Sequence, residues 1–219
     1  MATDKVSRHP LILASASPRR QEILRDLGLD FLVDPSRIPE PGPVPGETST
    51  RYAARVAKSK VREVSQRHRR GLIIGADTVV AVGGRHLGKP SSKEDARDML
   101  HSLEGRWHEV VSGISVMNCE SKRMRSRSVT SRVHFRRLSA FEIDWYLETG
   151  EYRDKAGAYG IQRYAALFAD RIEGCYFNIV GFPVAAFYRL CREMNVSLLD
   201  LIRPDRRSRP MKPRRARRS

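Results

Sequence analysis

Short apolar bursts separated by charged stretches run along the chain, and their spacing reads as intermixed strands and helices. Leu11 to Ala14 is a buried strand, LILA. Ser17 as N-cap and Pro18 at the first helical position open a helix, Ile23, Leu24 and Leu27 stripe it, and Gly28 ends it. Positions 34–49 are rich in Pro and Gly and read as a loop, after which Arg51 to Val64 returns to helical spacing. The run LIIGADTVVAV, Leu72 to Val82, is apolar and β-branched enough for a central strand, and Gly83-Gly84 signals a hairpin.

Ser91 and Glu94 read as a capping box before a helix carrying Ala96, Met99 and Leu103. Val110 to Met117 is a strand, Ser121 to Arg127 a polar turn, and Val129, Ser131, Val133 and Phe135 alternate as in a half-exposed strand. Ser139 and Glu142 form a second capping box, opening a helix through Leu147. Ala165 to Asp170 reads as another strand, and Pro183 starts a last helix with Val184, Phe187, Leu190 and Cys191 on one face. Strands and helices intermix, so the class is α/β or α+β with a largely buried sheet.

The 219 residues suit one large domain or two closely joined lobes. No run of about 18 apolar residues occurs, which argues against a membrane-spanning helix. The first nine residues carry charges and read as an extension rather than a secretory signal. Cys119, Cys175 and Cys191 are odd in number and lack CxxC spacing, so neither a disulfide framework nor a zinc site is expected, and a reducing, cytoplasmic setting is. The net charge is +16, and the nine basic residues and single acid of Arg203 to Ser219 supply half of it. That segment, 203–219, is expected to be a disordered tail. It reads either as a solvated extension or as a nuclear-targeting or nucleic-acid-binding element. The body, 10–202, is still basic enough to favour a phosphorylated ligand.

Four places carry candidate chemistry. Ser15-Ala16-Ser17-Pro18-Arg19-Arg20 sits at a strand-to-helix junction, where unpaired amides, a positive dipole end, hydroxyls and guanidiniums suit phosphate. An ordinary capped helix with solvated arginines accounts for it equally well. Asp77 interrupts an apolar strand, and a buried carboxylate needs a partner. It could ligate a divalent cation, act as a base, or be satisfied by backbone amides. Gly88-Lys89-Pro90 and Lys60 are weak signals by themselves. Asp154 to Gln162, DKAGAYGIQ, has small residues that admit a ligand, and Gln162 can read a base edge; a tight loop is the bland alternative.

Taken together, the ordered blocks SASPRR, GADTVV, LGKP, DKAGAYGIQ and VGFP resemble the Maf-like proteins, once called septum-formation inhibitors, from about Leu11 to Leu190. The resemblance implies a mixed sheet in two lobes with a deep cleft, similar to inosine-triphosphate pyrophosphatases. It implies metal-dependent hydrolysis of a nucleoside triphosphate between its α and β phosphates, with Mg²⁺, Mn²⁺ or Co²⁺, and a homodimer. Asp77 matches the family's proton acceptor, and Arg19, Thr78 and Gln162 match the positions linked to substrate choice, with the identities of the dTTP/UTP branch. Ser15, Arg20, Lys60 and Lys89 match polar, phosphate-facing cleft positions. Glu40 matches a carboxylate that helps Asp77 hold the metal, although Pro39 stands where an acid is common. Two rivals are a 7-methyl-GTP or CTP preference and, from another class, a nucleic-acid-binding regulator of division.

Overall fold

A computed structural model describes residues 10–202, so the expected extension 1–9 and tail 203–219 lie outside the described residues. The strands are β1 (Leu11–Leu13), β2 (Phe31–Val33), β3 (Leu72–Val82), β4 (Arg85–Leu87), β5 (Trp107–Asn118), β6 (Met124–Phe135) and β7 (Ala169–Glu173). The helices are α1 (Pro18–Asp26), α2 (Ser49–Val64), α3 (Lys93–Leu103), α4 (Ala140–Glu148), α5 (Tyr176–Val180), α6 (Val184–Glu193) and α7 (Leu198–Leu201). All seven strands join one mixed sheet, ordered β2-β1-β3-β5-β6-β7, with β4 hairpinned onto β3. β1 runs parallel to β2 and β3, and the other pairs are antiparallel. Among the described residues no helix is long and apolar enough to cross a membrane.

The apolar run of β3 is explained by burial on both faces. Leu72, Ile74, Ala76 and Val80 enter the main core with residues of α1, α3, α4 and α6. Ile73 packs with Val61 and Val64 of α2, and Val79 with its Ala53. Thus α2 covers one face and the remaining long helices cover the other. Along one edge, β3 pairs with β1 only at Leu72–Ile74 and with β4 only at Val80–Val82. Residues 75–79 have no strand on that flank among the described residues, and the cleft opens there.

Several local expectations shift. Ser92, extended at φ −147°, caps α3 by accepting from the Asp95 amide at 3.1 Å, while Ser91 donates to the Asp95 carboxylate; Glu94 closes no box. Ser17 is the last residue before α1, but its hydroxyl makes no cap bond. β6 begins at Met124, inside the expected polar turn, because antiparallel pairing with β5 continues through Val116↔Arg125. Tyr164–Leu167 is a 3-10 turn, not a strand; only Ala165 of it is buried, and β7 starts at Ala169. The short β2, α5 and α7 were not expected at all.

Two glycines set how closely α2 lies on the sheet. A Cβ on Gly113 of β5 would stand 2.2 Å from the Ala53 carbonyl oxygen, and one on Gly75 of β3 would stand 2.8 Å from that of Ala57. Both are backbone contacts, so relief requires lifting the helix. Gly113→Ala is expected to lower unfolding stability by at least about 1–3 kcal/mol in urea titration, the usual scale of core overpacking. Gly42→Ala, whose Cβ would meet nothing within 4 Å, is expected to be near neutral. Equal stability of the two variants would refute close helix seating as the reason.

Candidate active site

Strand alternation divides the site between the two faces of β3. Asp77 points to the α2 side and Thr78 to the other. Close seating of α2 brings Lys60 to Asp77, and the Lys60 ammonium donates to Asp77 Oδ1 at 2.8 Å and to Glu40 Oε1 at 2.9 Å. Lys89 Nζ lies 3.5 Å from Glu40 Oε2. Lys60 and Asp77 are buried, whereas the Glu40 side chain is 44% exposed. Burial alone would raise the Glu40 carboxyl, but attraction to Lys60 and then Lys89 outweighs it and lowers it. Two carboxylates therefore converge on one cation, the arrangement that makes buried charge tolerable.

On the opposite face Arg20 is a junction. Its Nε donates to the Gly181 carbonyl at 2.9 Å, one terminal nitrogen to Ser15 Oγ at 3.0 Å, and the other to Thr78 Oγ1 at 3.3 Å. Thr78 Oγ1 also shares a hydrogen bond with Ser112 Oγ at 2.8 Å, and Ser112 donates to the Asn178 carbonyl. Burial lowers the Arg20 pKa, partly countered by Asp77. The guanidinium fork expected to face phosphate is thus already committed to three parts of the protein, the β1–α1 turn, β3 and Gly181.

Arg19 differs from its neighbour. It is half-buried, and its guanidinium has no hydrogen-bond partner among the described residues. Burial lowers its pKa, while the charges of Asp154 and Glu151 pull it up. Gln162 is exposed and lines the same cleft. All nine candidate residues line a single cleft of about 460 Å³, with Tyr52, Asp154, Tyr159 and Gly181, which carried no individual signal in the sequence. Ser112 and Asn178 were also missed; polar residues inside the apolar runs VVSGISV and YFNIV were the available clue.

A family model described as Maf-like protein matches residues 10–194. The chain belongs to the Maf-like family. A relative named dTTP/UTP pyrophosphatase from Carboxydothermus hydrogenoformans is 45% identical over 183 residues, 84% of this chain and 97% of its own. One of the same name from Syntrophomonas wolfei is 41% identical over 187 residues, 85% and 98% of the two chains. A solved dITP/XTP pyrophosphatase from Mycobacterium abscessus covers 60% of this chain and 76% of its own at 15% identity and TM-score 0.37, too loose to carry an argument.

In this Maf-like chain the Asp154–Gln162 segment is pinned from beneath. Tyr159 is buried and shares a 2.7 Å hydrogen bond with His108 Nε2 on β5, and both rings pack edge-on against Phe135. Burial pushes the His108 imidazole down to about 4. The unfolded chain therefore binds a proton below about pH 6.5 that the folded chain refuses until about pH 4, so this group's contribution is whole above pH 6.5 and shrinks as pH falls. Between pH 7.5 and 5.0 it should cost about 2 kcal/mol of stability. His108→Gln should lose about that much less than the parent over the same interval in urea unfolding. Parallel losses in both proteins would show that His108 is not the responsible group.

Proposed function

We propose that this chain hydrolyses dTTP, UTP and modified pyrimidine relatives to the nucleoside monophosphate and pyrophosphate. The observation that carries the reading is the convergence of Asp77 and Glu40 on Lys60, beside Lys89, Arg19 and the N-terminal end of α1. Both relatives cited above carry that activity in their names. A triphosphate brings several negative charges, and Arg19, Arg20, Lys60 and Lys89 line the one cleft that would receive it.

Glu40 and Asp77 are suited to hold the divalent cation. Their oxygens already converge on one ammonium, and Mg²⁺ favours one or two carboxylates shared with substrate phosphates over a closed protein cage. Among the described residues no group of three or more His, Cys, Asp or Glu side chains forms such a cage. Bound there, Mg²⁺, Mn²⁺ or Co²⁺ would neutralise charge on the phosphate oxygens.

The chain's own residues supply the rest. Asp77 accepts the proton of the attacking water as its oxygen bonds to the α-phosphorus and the bond to the bridging oxygen breaks. Lys60, Lys89 and Arg19 stabilise the departing pyrophosphate. Arg20 adds positive field and holds Ser15, Thr78 and Gly181 in place. Thr78 is short and leaves room for the base, while Gln162 presents donor and acceptor to the alternating carbonyls and N–H of uracil or thymine.

Two measurements test this. Asp77→Asn keeps the shape and removes the basicity, and is expected to lower kcat by about a hundredfold or more in a pyrophosphate-release assay. Near-normal turnover by a folded variant would remove Asp77 from the role. On one preparation, kcat/KM for UTP should exceed that for 7-methyl-GTP, because a site built to pair a substrate's polar groups rejects one that leaves them unpaired. A tenfold win for the methylated purine, about 1.4 kcal/mol in the barrier, would overturn the pyrimidine preference and leave the pyrophosphatase reading standing.

A further inference from the structure

Helix α2 has a second working face. Arg51, Arg55, Lys58 and Arg62 recur at spacings of four, three and four, which places them on one stripe of a 3.6-residue helix. Lys60 projects roughly half a turn of the helix away from that stripe, into the cleft. The stripe is about 16 Å long. It lines a shallow groove of about 600 Å³ with Glu47 and Ser128 at its margins. Arg55 is neutralised by a two-pronged ion pair with Glu47, at 2.7 and 2.6 Å. Arg51, Lys58 and Arg62 have no acidic partner among the described residues. The chain leaving α2 adds exposed Arg69 and Arg70 before β3 begins.

The chemistry of the groove narrows its occupant. Its one aliphatic side chain is Ala54, which offers neither the apolar anchor of a protein hot spot nor the face an interfacial helix needs to enter lipid. Its hydroxyls are engaged within the protein: Ser59 donates to the Arg55 carbonyl, Ser128 to that of Thr50, and the Thr50 hydroxyl shares a hydrogen bond with that of Thr48. What remains is a row of flexible cations with no groups aimed to read bases. Such a row matches a polyanion with charge repeated along a line. Duplex nucleic acid presents such a line of phosphates along each strand, at a rise of about 3.4 Å per phosphate along the duplex axis.

We propose that the outer face of α2 is a sequence-independent docking surface for the phosphate backbone of duplex nucleic acid, separate from the nucleotide cleft on the other side of the helix. The site works by counterion release, so its signature is the salt dependence of affinity rather than affinity at one salt concentration.

The test uses the full chain, because both parent and variant then carry the same tail and differ only at the stripe. Arg51, Lys58 and Arg62 are changed together to Gln, and the dissociation constant for a labelled 25-base-pair duplex of mixed sequence is measured from 50 to 300 mM salt. Loss of three phosphate contacts should flatten the plot of log affinity against log salt by about 2 to 3 units and weaken binding at least tenfold at 50 mM. Pyrophosphate release from UTP should be unchanged, since none of the three residues lines the cleft. An unchanged slope overturns the proposal and assigns any binding to other basic segments. So does a variant that loses binding to vesicles containing phosphatidylserine while keeping the duplex, or a parent displaced as readily by polyglutamate as by unlabelled duplex at equal charge.

Discussion

The distance between α2 and the sheet governs this molecule. Gly75 and Gly113 remove the two side chains that would hold the helix off, and backbone carbonyls of Ala53 and Ala57 occupy the space. Only at that separation can Lys60 stay buried with its ammonium within hydrogen-bond reach of Asp77. The pair is costly to bury and costly to break, because losing either partner strands a charge in a medium that solvates it poorly. Glu40 adds a second carboxylate from the exposed side, and Lys89 offsets its charge. Seating of the helix, placement of the carboxylates and the electrostatics of the cleft are therefore one constraint expressed at three scales.

Glu40 sits in a loop rich in Pro and Gly, yet the loop is not free to wander. Asp34 accepts both a two-pronged pair from Arg67, at 3.0 and 2.9 Å, and a 2.7 Å contact with His68. The Arg67 hydrogen bonds hold the Asp34 carboxyl down to about 2. Glu63, also paired with Arg67, accepts from the Arg37 amide. The end of α2 and the chain just after it thus grip the start of the loop, while Lys60, further up the same helix, meets Glu40. The opposite wall is held by Arg20, which ties the β1–α1 turn, β3 and the left-handed Gly181 at the end of α5 together. Arg67 on one wall and Arg20 on the other thus spend their guanidinium hydrogen bonds on the protein itself.

Much of this was legible in the residues. The limits of β3 follow directly from its apolar run, and Asp77 announced itself as a carboxylate where none should be unpartnered. The mixed class also followed from the pattern. β2 did not, because three residues are too few to show alternation, and its exposed Leu32 and Val33 break the usual sign. Polar residues hid the start of β6, since pairing with β5 rather than burial makes Arg125 to Arg127 a strand. The immediate surroundings of Arg20 were not legible: a sequence shows an arginine beside a helix start, but not that a carbonyl 161 residues away has claimed it. His108 left no trace because its partner Tyr159 is 51 residues distant and neither stands in a polar run.

The open flank of β3 at residues 75–79 has a further consequence. At residues 72–74 and 80–81 the strand lies between two hydrogen-bonded neighbours, so altering a side chain there disturbs the sheet on both sides. At Asp77 and Thr78 one side faces the cleft, and the ladder with β5 alone carries the backbone. On the proposed function, base selectivity and architecture separate along this single strand: the residue at position 78 can be traded together with those at 19 and 162 to admit a different base, while the β3–β5 ladder that carries Asp77 is inherited intact.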